Sequence, residues 1–514
     1  MRESRPRSPI QGQVYTRRRR HGSVESRCRL LAVIAAVVVV AVLLSSTGGV
    51  IQVRNSPTPS GAPFAAAVSA GATIPVGSYP YGITFDPVNG LLYVTNFGSN
   101  NISVVNATTN RVVAWIPMPF GIETLAVDSS TGFVYVAEAV YQVYAINPST
   151  NRVQWTIPLL DAGCPFGCAP HVQTYDTANG DIYVTDLTSD NVTAIHGNQP
   201  VAVVPVGSGP NGAAYDSANG NIYVSNEGAS VSSINLTVIN GSSDRVVGQV
   251  SGSGGGPGVA YDGSNGDVYV CQNAGEVGQS NFVTVVDGNL NQILASIPIR
   301  SSCQGAVYDP ANDYVYITDR FVPGGPDLSD VTIVDPTTNG IVLRMPTQLG
   351  PTGITYDSAN HNIYVADSDT NNVSILPQIY RLNVRESGLP PGTNWSATVG
   401  GTTFFSTTPT ISFPETNGTL NFSVGPAVNL TASPSSGQVT VNGGPQWLNV
   451  TFSKGGGGSG LLGLPGATGY YVLGGSVVVL VAATVVVVVL TRRKRRAKPS
   501  PSSPPTNGPT DLKP

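Results

Sequence analysis

The chain has 514 residues, of which only 11% are charged, with 59 glycines, 40 prolines, five cysteines and a formal net charge of −4. Over residues 52–459 there are 27 acidic and 10 basic side chains. That balance excludes nucleic acid as a partner, because holding a phosphate backbone requires a basic face.

Residues 1–29 form a basic tail with nine arginines, followed by an apolar segment at 30–53 whose uninterrupted run, 30–44, is 15 residues long. A helix needs about 20 residues to cross a bilayer core, and a run of 15 also has the length of a signal-peptide core. No small-residue cleavage site follows closely, and the basic region is long for a cleaved signal. The segment therefore reads as a retained transmembrane signal-anchor. Residues 54–71 are a linker.

Residues 72–378 carry one pattern seven times. The clearest copy reads Pro80-Tyr81-Gly82-Ile83-Thr84-Phe85-Asp86, then Asn89-Gly90, then Leu92-Tyr93-Val94-Thr95-Asn96. The aspartate recurs at Asp86, Asp128, Asp176, Asp216, Asp262, Asp309 and Asp357. A tyrosine follows each seven residues later, and the copies start 40 to 48 residues apart. This is the period of a four-stranded propeller blade, so the expected fold class is all-β, a seven-bladed β-propeller.

Within a copy, 80–86 reads as the inner strand, 92–95 as the second, 102–106 as the third and 111–116 as the fourth. Asn89-Gly90 and its equivalents in copies three, four and five predict type I′ hairpins. Copies two, six and seven carry Thr131-Gly132, Asn312-Asp313 and Asn360-His361 there, where relaxed turns are expected. The aspartate is expected to accept nearby backbone amides in an Asx turn, and the tyrosine to pack between blades. The seventh copy stops after its third strand, 372–376. Residues 72–76 match the missing fourth strand, so the N-terminal strand should close the ring and leave no free edge.

The run Tyr93-Val94-Thr95-Asn96, with Pro-x-Gly and the aspartate before it, resembles the YVTN family of β-propellers over about 72–377. The resemblance implies a seven-bladed extracytoplasmic propeller, frequent in archaeal and bacterial surface proteins, and no single activity.

Residues 379–453 break the repeat into short strands separated by turn signals, which suits a small Ig-like β-sandwich. Glu386-Ser387-Gly388-Leu389-Pro390-Pro391-Gly392-Thr393-Asn394-Trp395 resembles a module of archaeal cell-surface proteins, which implies a spacer or stalk. A Gly-rich linker at 454–468, a transmembrane helix at 469–490 and a disordered tail at 491–514 complete the chain. Arg492, Arg493, Lys494, Arg495 and Arg496 follow the second apolar segment. By the positive-inside rule both termini are cytoplasmic, and the bulk of the chain is expected outside the cell membrane.

All eleven Asn-x-Ser/Thr sequons lie between the apolar segments, at Asn101, Asn106, Asn191, Asn235, Asn240, Asn372, Asn394, Asn417, Asn421, Asn429 and Asn449. They are glycosylation candidates, although a chain rich in Asn, Ser and Thr also generates sequons by chance. Cys164, Cys168, Cys271 and Cys303 are an even exported set, which favours disulfides. The first pair can close a local loop, and the second should lie near one face of adjacent blades. Cys28 sits at the cytoplasmic edge of the first apolar segment.

Catalytic motifs are absent: no nucleophile elbow, phosphate loop or His-Glu-x-x-His occurs. The four histidines fall at different repeat positions, so no catalytic residue, metal site or cofactor is expected. The residue five before each aspartate should ring the mouth of the central channel. It is Tyr81, Glu123, His171, Asn211, Pro257, Gln304 and Thr352 in turn. The series Asn96, Glu138, Asp186, Asn226, Gln272, Asp319 and Asp367 should share that face. Varied polar residues on a rigid ring favour a binding site; solvated lining without a ligand is the plainer alternative.

The sequence thus points to a membrane-anchored surface propeller that binds a surface protein or glycan, as an adhesion or scaffold module. One alternative is an extracytoplasmic enzyme of lactonase, lyase or redox-subunit type, drawing on Glu123, His171, Asp319 and Asp367. Another is a structural coat component. Fold alone does not choose among them.

Overall fold

A computed structural model describes residues 71–119, 121–159, 169–228, 235–253, 255–272, 281–320, 329–425, 427 and 429–454. The two apolar segments, both tails, Cys28, Cys164 and Cys168 lie outside the described residues. Among the described residues no helix is long and apolar enough to cross a membrane.

The described strands form nine four-stranded sheets. Seven of them, all antiparallel and spanning 73–376, are blades. Each inner strand packs on the inner strand of the next blade, and Pro351–Tyr356 of blade seven packs on Pro80–Asp86 of blade one. The result is a closed β-propeller. Burial follows position in the blade. Leu91–Asn96, pressed between neighbouring sheets, is buried on both faces, whereas the outer strand Arg111–Pro117 alternates between exposed and half-buried positions until Ile116, which is buried. Inner-strand glycines allow the crowding at the axis: a Cβ on Gly353 would lie 2.7 Å from the carbonyl oxygen of Tyr81.

All seven repeating aspartates make the expected Asx turn, accepting the amide two residues on at 2.7 to 2.9 Å. The hairpin itself differs from expectation. Only its last residue is left-handed, Gly90 at φ 71°, and the Gly90 amide donates to the Asp86 carbonyl at 2.9 Å. Because Asp86 already supplies both acceptors for this loop, one left-handed residue suffices where type I′ would need two. The glycine-free copies do not relax: Asp313 and His361 take φ 61° and 62°, at a cost of about 1 kcal/mol each for a Cβ in that region.

The repeating tyrosines latch blades together. Tyr135 donates to the Gly197 carbonyl at 2.7 Å, Tyr183 to Gly241 at 2.9 Å and Tyr364 to Ala107 at 3.2 Å, each acceptor following the third strand of the next blade. Tyr364 thereby joins blade seven to blade one. Thr73–Pro75 pairs antiparallel with Asn372–Leu376, with Thr73 opposite Ser374, and supplies the fourth strand of blade seven. Cys271 and Cys303 form a disulfide, Cα atoms 5.6 Å apart, between the second strand of blade five and the inner strand of blade six.

Residues 379–454 form the other two sheets around one core that includes Leu382, Val384, Trp395, Phe413, Phe422 and Val450. The first strand, Ile379–Ser387, pairs antiparallel with Thr410–Thr416 and parallel with Gln446–Lys454. Its start is keyed into the propeller. Ile379 joins the core of blades six and seven, and the Arg381 guanidinium bonds Asp335 at 2.6 Å and the Asp313 carbonyl at 2.7 Å while lying over the Tyr314 ring. Asp313 sits in the turn that ends an inner strand. The second unit of sheets therefore begins on the face opposite the channel mouth. Residue 71, packed against Ile375, enters on that same face.

Candidate functional site

Inner strands of all seven blades line one axial cavity of about 230 Å³, among them Tyr81, Thr124, His171, Gln173, Pro257, Gln304 and Thr352. The mouth residues come from different blades, and the ring's curvature brings four of them into contact. His171 Nε2 lies 3.5 Å from Glu123 Oε2 and 3.4 Å from the Tyr81 hydroxyl. His171 Nδ1 lies 3.1 Å from the Asn211 carbonyl. A carbonyl only accepts, so Nδ1 carries the proton, and in the neutral ring the Nε2 lone pair faces Tyr81 and Glu123. The Thr124 hydroxyl donates to the His171 carbonyl, which fixes the strand that carries the imidazole.

The electrostatics follow from partial burial. Desolvation raises the pKa of Glu123, with His171 opposing, and raises that of Tyr81 to about 12, with the Glu123 charge adding to it. The Asn211 amide donates to Glu227 Oε1 at 2.5 Å. Burial pushes the pKa of Glu227 up as well, against the pull of His171 and Asn211. One half-buried carboxylate, Glu123, and one exposed carboxylate, Glu227, thus act on the same imidazole.

The remaining expected residues have other duties. The Thr352 hydroxyl donates to the Ala366 carbonyl at 3.1 Å with the Pro80 carbonyl also within reach, and Gln304 donates to the Ser302 hydroxyl. The series Asn96, Asp186, Asn226, Asp319 and Asp367 does lie at the mouth end, with Asn96 opposite Pro80 and Asp367 opposite Pro351. Yet all five are fully buried and turned into their own blades: Asp186 accepts from Thr193, Asp319 from Thr332 and Arg344, and Asp367 from Ser374. Asp319 and Asp367 are structural carboxylates, not partners for chemistry at the mouth. Among the described residues no group of three or more His, Cys, Asp or Glu could hold a metal ion.

Sequence reasoning missed Glu227, Gln173 and Arg320. Glu227 and Arg320 each stand one residue after the buried polar series, where the other described blades carry Phe97, Ala139, Leu187 and Ser368. A charge at a repeat position that is apolar or small in four of the seven copies was the available signal. Arg320 donates to the Tyr79 hydroxyl at 2.9 Å and lies 3.8 Å from Asp369. The six propeller sequons are half-buried, whereas Asn394, Asn417, Asn421, Asn429 and Asn449 are exposed.

Among solved structures the chain is similar to Kuenenia stuttgartiensis hydrazine synthase, at 18% identity and a TM-score of 0.50, over 61% of this chain and 97% of that one. It is also similar to a streptogramin B lyase structure, at 17% identity and a TM-score of 0.47, over 60% of this chain and 96% of that one. At such identities the likeness is one of β-propeller fold alone. No protein-family model and no curated protein matches the chain.

Proposed function

We propose that the chain is a membrane-tethered surface propeller of the YVTN type that binds a partner at its channel mouth. The observation that carries this reading is the convergence of Tyr81, Glu123, His171 and Asn211 from four consecutive blades over one axial cavity. The other repeated polar residues described above are consumed by turns and latches. Support for the surface assignment comes from the sequence: two apolar segments with flanking arginines, and sequons confined between them. The sheets at 379–454 then act as a spacer of the archaeal surface-protein kind.

The test uses the full chain on intact cells, offered glycan panels and defined surface-protein extracts, alongside a Glu123→Ala, His171→Ala variant. Binding should be lost while the variant still melts cooperatively; His171 is buried and bonded to the Asn211 carbonyl, so the double variant should itself lose about 1–3 kcal/mol of stability. Equal binding by the double variant would sink the reading. A second reading is acid–base catalysis at the same mouth, favoured by the carbonyl that fixes His171 with Nε2 towards Glu123. It requires turnover of a bound ester or lactone that His171→Ala removes with binding retained.

A further inference from the structure

We propose that the mouth and the cavity beneath it take an alkylammonium or guanidinium group, seated between Glu123 and Glu227 with its chain reaching down the axis to Gln173. This rests on the mouth being a binding site and names the chemistry of what it binds.

The charge at the rim is unbalanced. Among the described residues Glu123 has only His171 as a cationic neighbour in contact, and Glu227 has no ion pair, only the Asn211 amide. Arg320 belongs to blade six and is occupied by the Tyr79 hydroxyl and Asp369. An acidic pair alone would not define a ligand. The second observation comes from inside the cavity. Gln173 is 8% exposed and lines the cavity. Its amide nitrogen lies 3.4 Å from the Thr124 carbonyl, and its Oε1, itself buried, has no hydrogen-bond donor among the described residues. A buried acceptor without a donor destabilises the fold, and a donor delivered along the axis would offset that loss.

Acceptors at two depths, Glu123 and Glu227 at the rim and Gln173 within, fit a slender chain that carries several N–H groups. The volume agrees. About 230 Å³ lies below the ~300 Å³ at which pockets begin to hold drug-sized ligands, so the cavity admits one extended side chain or a thin small molecule. The Tyr81 ring at the entrance offers a face for a cation.

The experiment is a calorimetric titration of the detergent-solubilised full chain with 1,5-diaminopentane, agmatine and a capped Gly-Lys-Gly peptide. Diacetylated 1,5-diaminopentane is the neutral control. At least one cationic probe should bind saturably at one site and the control should not. The Glu123→Gln, Glu227→Gln pair should weaken binding about tenfold or more, the scale of one charge-assisted hydrogen bond. Gln173→Leu should weaken the probe that reaches deepest; if that variant melts early, the rim pair decides alone. Tighter binding of the free amines points to a small-molecule ligand, and tighter binding of the peptide to a Lys or Arg side chain on a partner. Equal affinity for the diacetylated control, unchanged affinity in the rim pair, or no saturable binding by the folded wild type overturns the proposal. If the rim pair still captures a surface partner that His171→Ala loses, the cation is wrong and the mouth stands. If neither variant loses it, both readings fall.

Discussion

Single residues in this protein act mostly across blade boundaries. Tyr183 is fully buried, and its hydroxyl reaches both the Gly241 carbonyl and Asp244 Oδ1 in the next blade. Tyr183→Phe should keep the packing and cost about 1–2 kcal/mol for the lost hydrogen bonds. Tyr183→Ala should cost about 3–5 kcal/mol, the usual range for emptying a large aromatic site. Urea denaturation distinguishes the two, and equal losses would mean the hydroxyl contributes nothing. Buried carboxylates set the response to pH. Burial raises Asp267 and Asp309 to about 6 and Asp367 to about 7. Each native carboxyl thus keeps a proton that the unfolded chain has released, and stability falls as pH rises through these values. The contribution is full below the ordinary carboxylate value near 4 and gone above about 7. Melting should therefore occur at a higher temperature near pH 5 than near pH 8, and Asp367→Asn should flatten part of that slope; a profile that rises towards pH 8 would contradict it. The latching residues were legible because seven copies display them in phase. Glu227 and Gln173 occur once each, and their meaning depends on which side chains meet across the ring, a distance no single repeat encodes.

At the level of elements the strands were read closely, and the hairpins were not. Alternation and β-branched runs specify strands locally, so the strand Asn101–Asn106 and the closing strand Thr73–Pro75 could be placed from pattern alone. The Asn-Gly pairs misled because the aspartate three residues before them reorganises the loop into a longer turn. Closure by Thr73–Pro75 makes the ring depend on three residues. Deleting 71–76 should leave Asn372–Leu376 as an open edge and give aggregation or a broadened melting transition. A truncated chain that melts like the intact one would show that the last blade does not need its fourth strand. The Cys271–Cys303 bond joins adjacent blades across 32 residues of sequence. Replacing both with serine should cost about 3–4 kcal/mol on the loop-entropy estimate, read by denaturation under non-reducing conditions; no loss would place the stabilisation in packing alone.

For the whole molecule, the decisive contact is the one between Arg381 and blade six. It fixes the first strand of the 379–454 sheets to the face away from the mouth. Exposure also divides the sequons. In the propeller their amides are half-buried and several cap strand ends, as Asn106 Oδ1 does for Thr108 and Thr109. Glycopeptide mass spectrometry should find glycans on Asn394, Asn417, Asn421, Asn429 and Asn449 and few on the propeller; dense occupancy at Asn101 or Asn235 would contradict the geometry. The closing strand has a mechanical consequence as well. Thr73–Pro75 and Asn372–Leu376 lie side by side, and their outer ends leave the ring at the same face. A pull on one end alone slides one strand along the other and shears the last blade. Tension shared by both ends draws the two strands the same way, so the hydrogen bonds between them carry little of it. In a chain held at both ends, load applied at the mouth passes into the inner blades and leaves the seam slack.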